Sequence, residues 1–108
     1  MNKIILIHGD VTFYQAQSIP ETARKVKVDK GFIVEKGEGM HTHVLENECE
    51  VYIDDSTGRM YFKETTEIPK INHEEHGIAE IKSPTKIAYK DLEQEFDYES
   101  METRNTQD

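Results

Sequence analysis

The sequence predicts an all-β fold, a single small domain built as a barrel or a sandwich. Three observations carry that expectation. Apolar residues recur at a period close to two along almost the whole chain. Turn-forming residues interrupt these runs at roughly 8–12-residue intervals. Only residues 21–24 and 99–104 look helical, each about one turn and too short to stand alone. At 108 residues the chain has the length of about one domain. Hydrophobic residues are 35% of it and Trp is absent, so a core must be assembled from Ile, Val, Phe, Tyr and Leu.

The elements follow in order. KIILI at 3–7 and VTFY at 11–14 flank a His8-Gly9-Asp10 turn, in which Gly9 takes a positive φ and Asp10 bonds backbone amides. Ser18-Ile19-Pro20 then breaks the pattern. KVKV at 25–28 and GFIVE at 31–35 read as a hairpin about Asp29-Lys30-Gly31. EVYID at 50–54 and RMYFK at 59–63 flank four turn formers, Asp55-Ser56-Thr57-Gly58, and make the clearest hairpin in the chain. Tyr52 and Tyr61, on its two arms, read as cross-strand packing. IAEI at 78–81 and KIAYK at 86–90 lie either side of Ser83-Pro84, and a last run ends at Glu95-Phe96. This gives a β domain over 1–96 and an acidic, disordered tail over 97–108.

Charge and cysteine usage narrow the function classes. Thirteen basic residues against 22 acidic ones give a net charge of −9, which argues against direct binding to nucleic acid phosphates and for solubility or a basic protein partner. The single cysteine, Cys49, forms no intramolecular disulfide and reads as a small buried hydrophobe. The N-terminal apolar run meets His8 and Asp10 too early for a signal peptide, and no run approaches ~18 apolar residues, so the expected location is cytoplasmic, with no membrane span. An exposed β edge in so small a protein makes a homodimer an expectation.

The stretch GEGMHTHVLENE at 37–48 carries the chemistry. In an extended strand alternate side chains share a face, so His41 and His43 project together while Thr42 points away, and both rings can reach one ion at ~2.0–2.1 Å. Glu48 joins them if the strand continues or bends, with Glu46 competing for that role. The bland alternative is a polar strand edge. A second group, Asn72-His73-Glu74-Glu75-His76, adds two histidines with carboxylates between them, so all five histidines fall in three short motifs. The alternative there is a solvated turn between strands. The helical H-E-x-x-H zinc motif does not match, because the second histidine stands at i+3 and no long helix surrounds it.

Taken together, Gly9-Asp10-Val11, Gly37-Glu38, His41-x-His43, His73-x-Glu75-His76 and Gln94-Glu95-Phe96 resemble a small uncharacterised bacterial and phage protein family of about this length. That resemblance implies no activity. A broader one is to cupins, whose first motif places His-x-His and then Glu on one strand, with a further histidine on a later strand. His41, His43 and Glu48 fit that spacing, and His73 or His76 follows. The pattern departs at Glu35, where the cupin motif has glycine, at Gly58, where its closing glycine is displaced, and in lacking a Pro-x-Gly before the second histidine.

Three functions from different classes stay in view. In the first, a divalent transition metal, zinc, iron, manganese or nickel, is held by His41, His43, Glu48, His73 and His76 with an open position, and Glu75 serves as base. In the second, the same residues bind a small polar ligand without turnover. In the third, an acidic, phage-encoded protein blocks a basic surface of a host defence protein. Because imidazole binds metal only when neutral, metal affinity is expected to fall as pH drops through ~6.5.

Overall fold

A computed structural model describes residues 2–29, 31–36, 42–92, 96–97 and 102–103, the last two pairs as backbone alone. Alternation becomes two antiparallel sheets. The larger has six strands: β1 (Ile4–His8), β2 (Val11–Gln15), β10 (Ile87–Asp91), β7 (Arg59–Lys63), β6 (Glu50–Asp54) and β3 (Arg24–Val26), in that spatial order. The smaller has β4 (Ile33–Lys36), β5 (Thr42–Leu45), β8 (Lys70–His73) and β9 (Gly77–Glu80). The sheets do not close into a barrel, since β1 and β3 end one and β4 and β9 end the other. Two-residue strands β11 (Phe96–Asp97) and β12 (Glu102–Thr103) pair with each other. The rest of the tail predicted to be disordered lies outside the described residues.

The β6–β7 hairpin forms where the turn chemistry predicts it. Asp54 accepts from the Ser56 amide at 3.0 Å and from the Thr57 and Thr22 hydroxyls at 3.0 and 2.9 Å, while Gly58 adopts φ 69°. Asp54 is fully buried, and these donors replace the water it loses. The core lies between the sheets. Phe13, Val51, Met60 and Phe62 meet Val34, Leu45 and Ile71, and Phe13 and Phe62 pack edge to face at 5.7 Å. Truncating either ring would cost about 3–5 kcal/mol. Cys49 is buried in this core, and burial raises its thiol to about 12, as expected of a hydrophobe.

The outer face of the six-stranded sheet carries a second, smaller apolar cluster. Register places Tyr14, Tyr89, Tyr61 and Tyr52 opposite one another on four successive strands. Tyr14 stacks on Tyr89 at 5.0 Å, and Tyr61 and Tyr89 are buried, so the cross-strand packing expected for Tyr52 and Tyr61 extends to a row of four.

One expectation fails. The proposed hairpin at Asp29-Lys30-Gly31 does not exist, because β3 pairs with β6 and β4 with β5, in different sheets. A local turn does form, with the Phe32 amide donating to Asp29 O at 3.0 Å, but it bends a sheet-to-sheet crossover that delivers Phe32 to the core. No helix occurs among the described residues. As expected for a segment of about one turn, 21–24 is not helical: the Thr22 hydroxyl donates to Asp54 and Arg24 begins β3. Within 99–104, Glu102 and Thr103 are extended and the remainder lies outside the described residues.

Candidate functional site

Four histidines and one aspartate meet at one end of the space between the sheets. His8 closes β1 and Asp10 follows it in the β1–β2 turn of the larger sheet, whereas His43, His73 and His76 come from the smaller sheet. The pairing Val44↔Asn72 sets His43 beside His73 on neighbouring strands, and His76 sits in the β8–β9 turn. Ring centroids lie 4.3 Å apart for His43–His73, 4.7 Å for His73–His76 and 5.1 Å for His8–His43. The remaining three pairs fall between 5.9 and 6.4 Å. His8, His43 and His73 are buried, while Asp10 and His76 form the solvent side.

Hydrogen bonding assigns each ring nitrogen a role. His8 Nε2 lies 2.8 Å from Gly77 O, which only accepts, so Nε2 carries a proton and donates. His8 Nδ1 stands 3.0 Å from His43 Nδ1, and His43 Nε2 stands 3.4 Å from Asp10 Oδ1. Filling all three contacts with hydrogen takes three protons, whereas two neutral imidazoles carry two. A neutral His43 therefore carries its proton either on Nδ1, donating to His8, or on Nε2, donating to Asp10. In the first tautomer the His43 Nε2 lone pair faces the Asp10 carboxylate. Burial, then the neighbouring His73 and His8 charges, lowers His43 from 6.5 to about 4 despite Asp10, which keeps this ring neutral at physiological pH.

A lone pair and a carboxylate facing each other at 3.4 Å suit a shared cation. Two ligands of a tetrahedral ion, each at ~2.0–2.1 Å, stand roughly 3.3–3.4 Å apart. His8 then plays the outer part, accepting the proton on the other nitrogen of His43 and fixing its tautomer. His73 differs: its Nδ1 accepts from the Glu75 amide at 3.1 Å, which puts the proton of the neutral ring on Nε2 and makes it a donor. As the side chains stand, no three His, Cys, Asp or Glu groups among the described residues surround one point. Both ring nitrogens of His8 and the Nδ1 atoms of His43 and His73 are engaged in hydrogen bonds, while His76 is exposed on its turn, where its ring has room to rotate.

Gly9 permits the approach. Its φ is 64°, and a Cβ there would stand 2.6 Å from His76 Cδ2, 2.8 Å from His76 Nε2 and 3.3 Å from His43 Cε1. The positive φ expected of Gly9 is present, and the close passage of two rings gives glycine a second reason. Asp10, expected to bond backbone amides, instead reaches His43.

The other predicted residues are distributed differently. His41 lies outside the described residues. Glu48 is exposed between β5 and β6, past the end of β5 at Leu45, and is not part of the histidine cluster. Glu75 is exposed at the β8–β9 turn, and the group it presents to His73 is its amide. Next to the cluster stands an ion pair that the sequence does not announce. Lys90, 1% exposed, donates to Val34 O at 3.0 Å and meets Glu35 Oε1 at 3.1 Å, and Glu35 is the cross-strand partner of His43.

Residues 7–83 match the family model described as a domain of unknown function, DUF8820, and the chain belongs to that family. The matched span contains His8, Asp10, His43, His73 and His76. No curated protein and no solved structure matches the chain.

Proposed function

We propose that this DUF8820 chain is a small metal-binding β protein, in which His43 Nε2, Asp10 and His76 hold one divalent transition ion. The observation that carries this reading is the neutral, buried His43 ring whose Nε2 stands 3.4 Å from the Asp10 carboxylate, with two further imidazoles packed beside it. Mixed imidazole and carboxylate donors suit zinc, iron, manganese or nickel. His8 orients His43, and His73 Nε2–H donates to a small polar ligand occupying an open position of the ion, which acts as a Lewis acid. The cupin likeness contributes only the general idea of a histidine site inside a two-sheet β scaffold. The alternative, an acidic phage inhibitor of a basic host surface, has the net charge of −9 in its support and no site geometry.

The test is elemental analysis and titration calorimetry on tag-free, chelator-stripped protein at neutral pH. One ion per chain is expected, lost in His43→Ala and retained in His73→Ala. Absence of stoichiometric metal together with absence of binding by zinc, iron, manganese and nickel would sink the reading.

A further inference from the structure

The geometry points to a second site, on the outer face of the six-stranded sheet, that binds small polyhydroxylated molecules carrying a phosphate group. A cleft of about 350 Å³ opens there between the start of β1 and the chain following β2. Lys3, Arg59, Tyr61, Tyr89, Gln15 and Gln17 line it, with no acidic residue among its lining groups. That composition is unusual in a chain of −9. Another cleft carries Glu46, Glu67 and Glu80, and a third carries Asp10, Glu35 and Asp91.

Arg59 is preorganised. Its guanidinium lies 4.2 Å over the centroid of Tyr89, whose ring also stacks with Tyr14. The planar fork is thus held by stacking and by a side-chain hydrogen bond to Tyr61, with Asp91 close enough to stabilise its charge, and its remaining N–H groups are the ones an oxyanion would meet. Its cross-strand neighbours are Asp91 and Asp54, the latter occupied by Thr22, Ser56 and Thr57. Neither Arg59 nor Lys3 forms an ion pair with a carboxylate among the described residues. Two cations at one cleft supply the charge that a phosphate needs, and the tyrosine hydroxyls and glutamine amides supply partners for sugar hydroxyls.

The experiment is an NMR chemical-shift titration of the chelator-treated full chain with glucose 6-phosphate, inorganic phosphate and glucose. Glucose 6-phosphate is expected to bind most tightly, inorganic phosphate more weakly and glucose least. Lys3→Gln and Arg59→Gln should each weaken glucose 6-phosphate binding by about tenfold or more, whereas His43→Ala should leave it unchanged, which separates this cleft from the histidine cluster. The proposal is overturned if no phosphate compound shifts cleft resonances up to about 10 mM, if glucose binds as well as its phosphate, or if Lys3→Gln binds like wild type. Should Arg59→Gln fail to fold, Arg59→Lys and Lys3→Gln decide the matter.

Discussion

Gly9→Ala separates backbone strain from damage to the site. At φ 64° an alanine occupies the left-handed region, at a cost of roughly 1–2 kcal/mol. The added methyl also meets His76 at 2.6 and 2.8 Å, well inside carbon contact distance, and His43 at 3.3 Å. His43 is buried and tied to His8, so His76, exposed on its turn, is the ring that yields. Moving it costs little stability, but the methyl occupies the space beside the His43–Asp10 pair into which the His76 ring would turn. Gly58 supplies the control, with φ 69° and nothing within 4 Å of its added Cβ. Gly9→Ala and Gly58→Ala should therefore lose similar stability in urea titrations monitored by circular dichroism. Only Gly9→Ala should lose metal affinity, by about tenfold or more, the equivalent of ~1.4 kcal/mol. Equal metal affinity in the two variants would refute both the placement of His76 and the reason given for Gly9.

The remaining predictions concern charge. His43 has a folded value of about 4 against an ordinary 6.5, so the unfolded chain takes up its proton first. Its contribution to stability is whole above pH ~6.5 and is lost as pH falls toward 4, up to about 3 kcal/mol in all. His43→Gln should flatten the stability profile in that window, and an equally steep profile would count against a neutral buried ring. Lys90→Met removes one member of an ion pair and should destabilise by about 3 kcal/mol, near the lower end for buried pairs because Glu35 keeps some exposure. Lys90→Met with Glu35→Gln should recover much of that loss in urea titration, and no recovery would mean that the pair does not act as a unit.

Legibility of the sequence divides along local and non-local lines. The β6–β7 hairpin was readable because Asp55-Ser56-Thr57-Gly58 and its alternating arms specify it within 14 residues of chain. The turn at Asp29 was equally visible, but whether a turn joins paired strands or bends a crossover depends on which sheet each arm enters, and that is settled by partners such as Ile53, 29 positions from Arg24. In KIAYK, alternation sets Ile87 and Tyr89 on the apparently apolar face. The sheet buries both faces, so Ala88 and Lys90 point into the core while Tyr89 joins the outer tyrosine row. His43 and His73 were legible as members of paired motifs. His8 and Asp10 were not, because local turn chemistry already accounts for them and their approach to His43 spans 35 and 33 positions of sequence.

The cluster's division between buried and exposed groups bears on the proposed cation site. Were His43 exposed, a proton would compete for Nε2 near the ordinary histidine value, and metal affinity would fall through pH ~6.5. Burial lowers the proton's competitiveness at that nitrogen to about 4. A metal ion suffers less from the same burial, because Asp10 and His76 bring their donors from the solvent side and an open position can keep water. The structure thus weakens the proton at His43 without burying the carboxylate that would neutralise an ion. His8 adds the tautomer, since its Nδ1 accepts the His43 proton only while its Nε2 donates to Gly77 O. Gly77 lies in the β8–β9 hairpin that also carries His76. The residue that contacts His43 is consequently fastened to the hairpin that carries His76, so in the proposed site displacement of that hairpin would perturb both sides together.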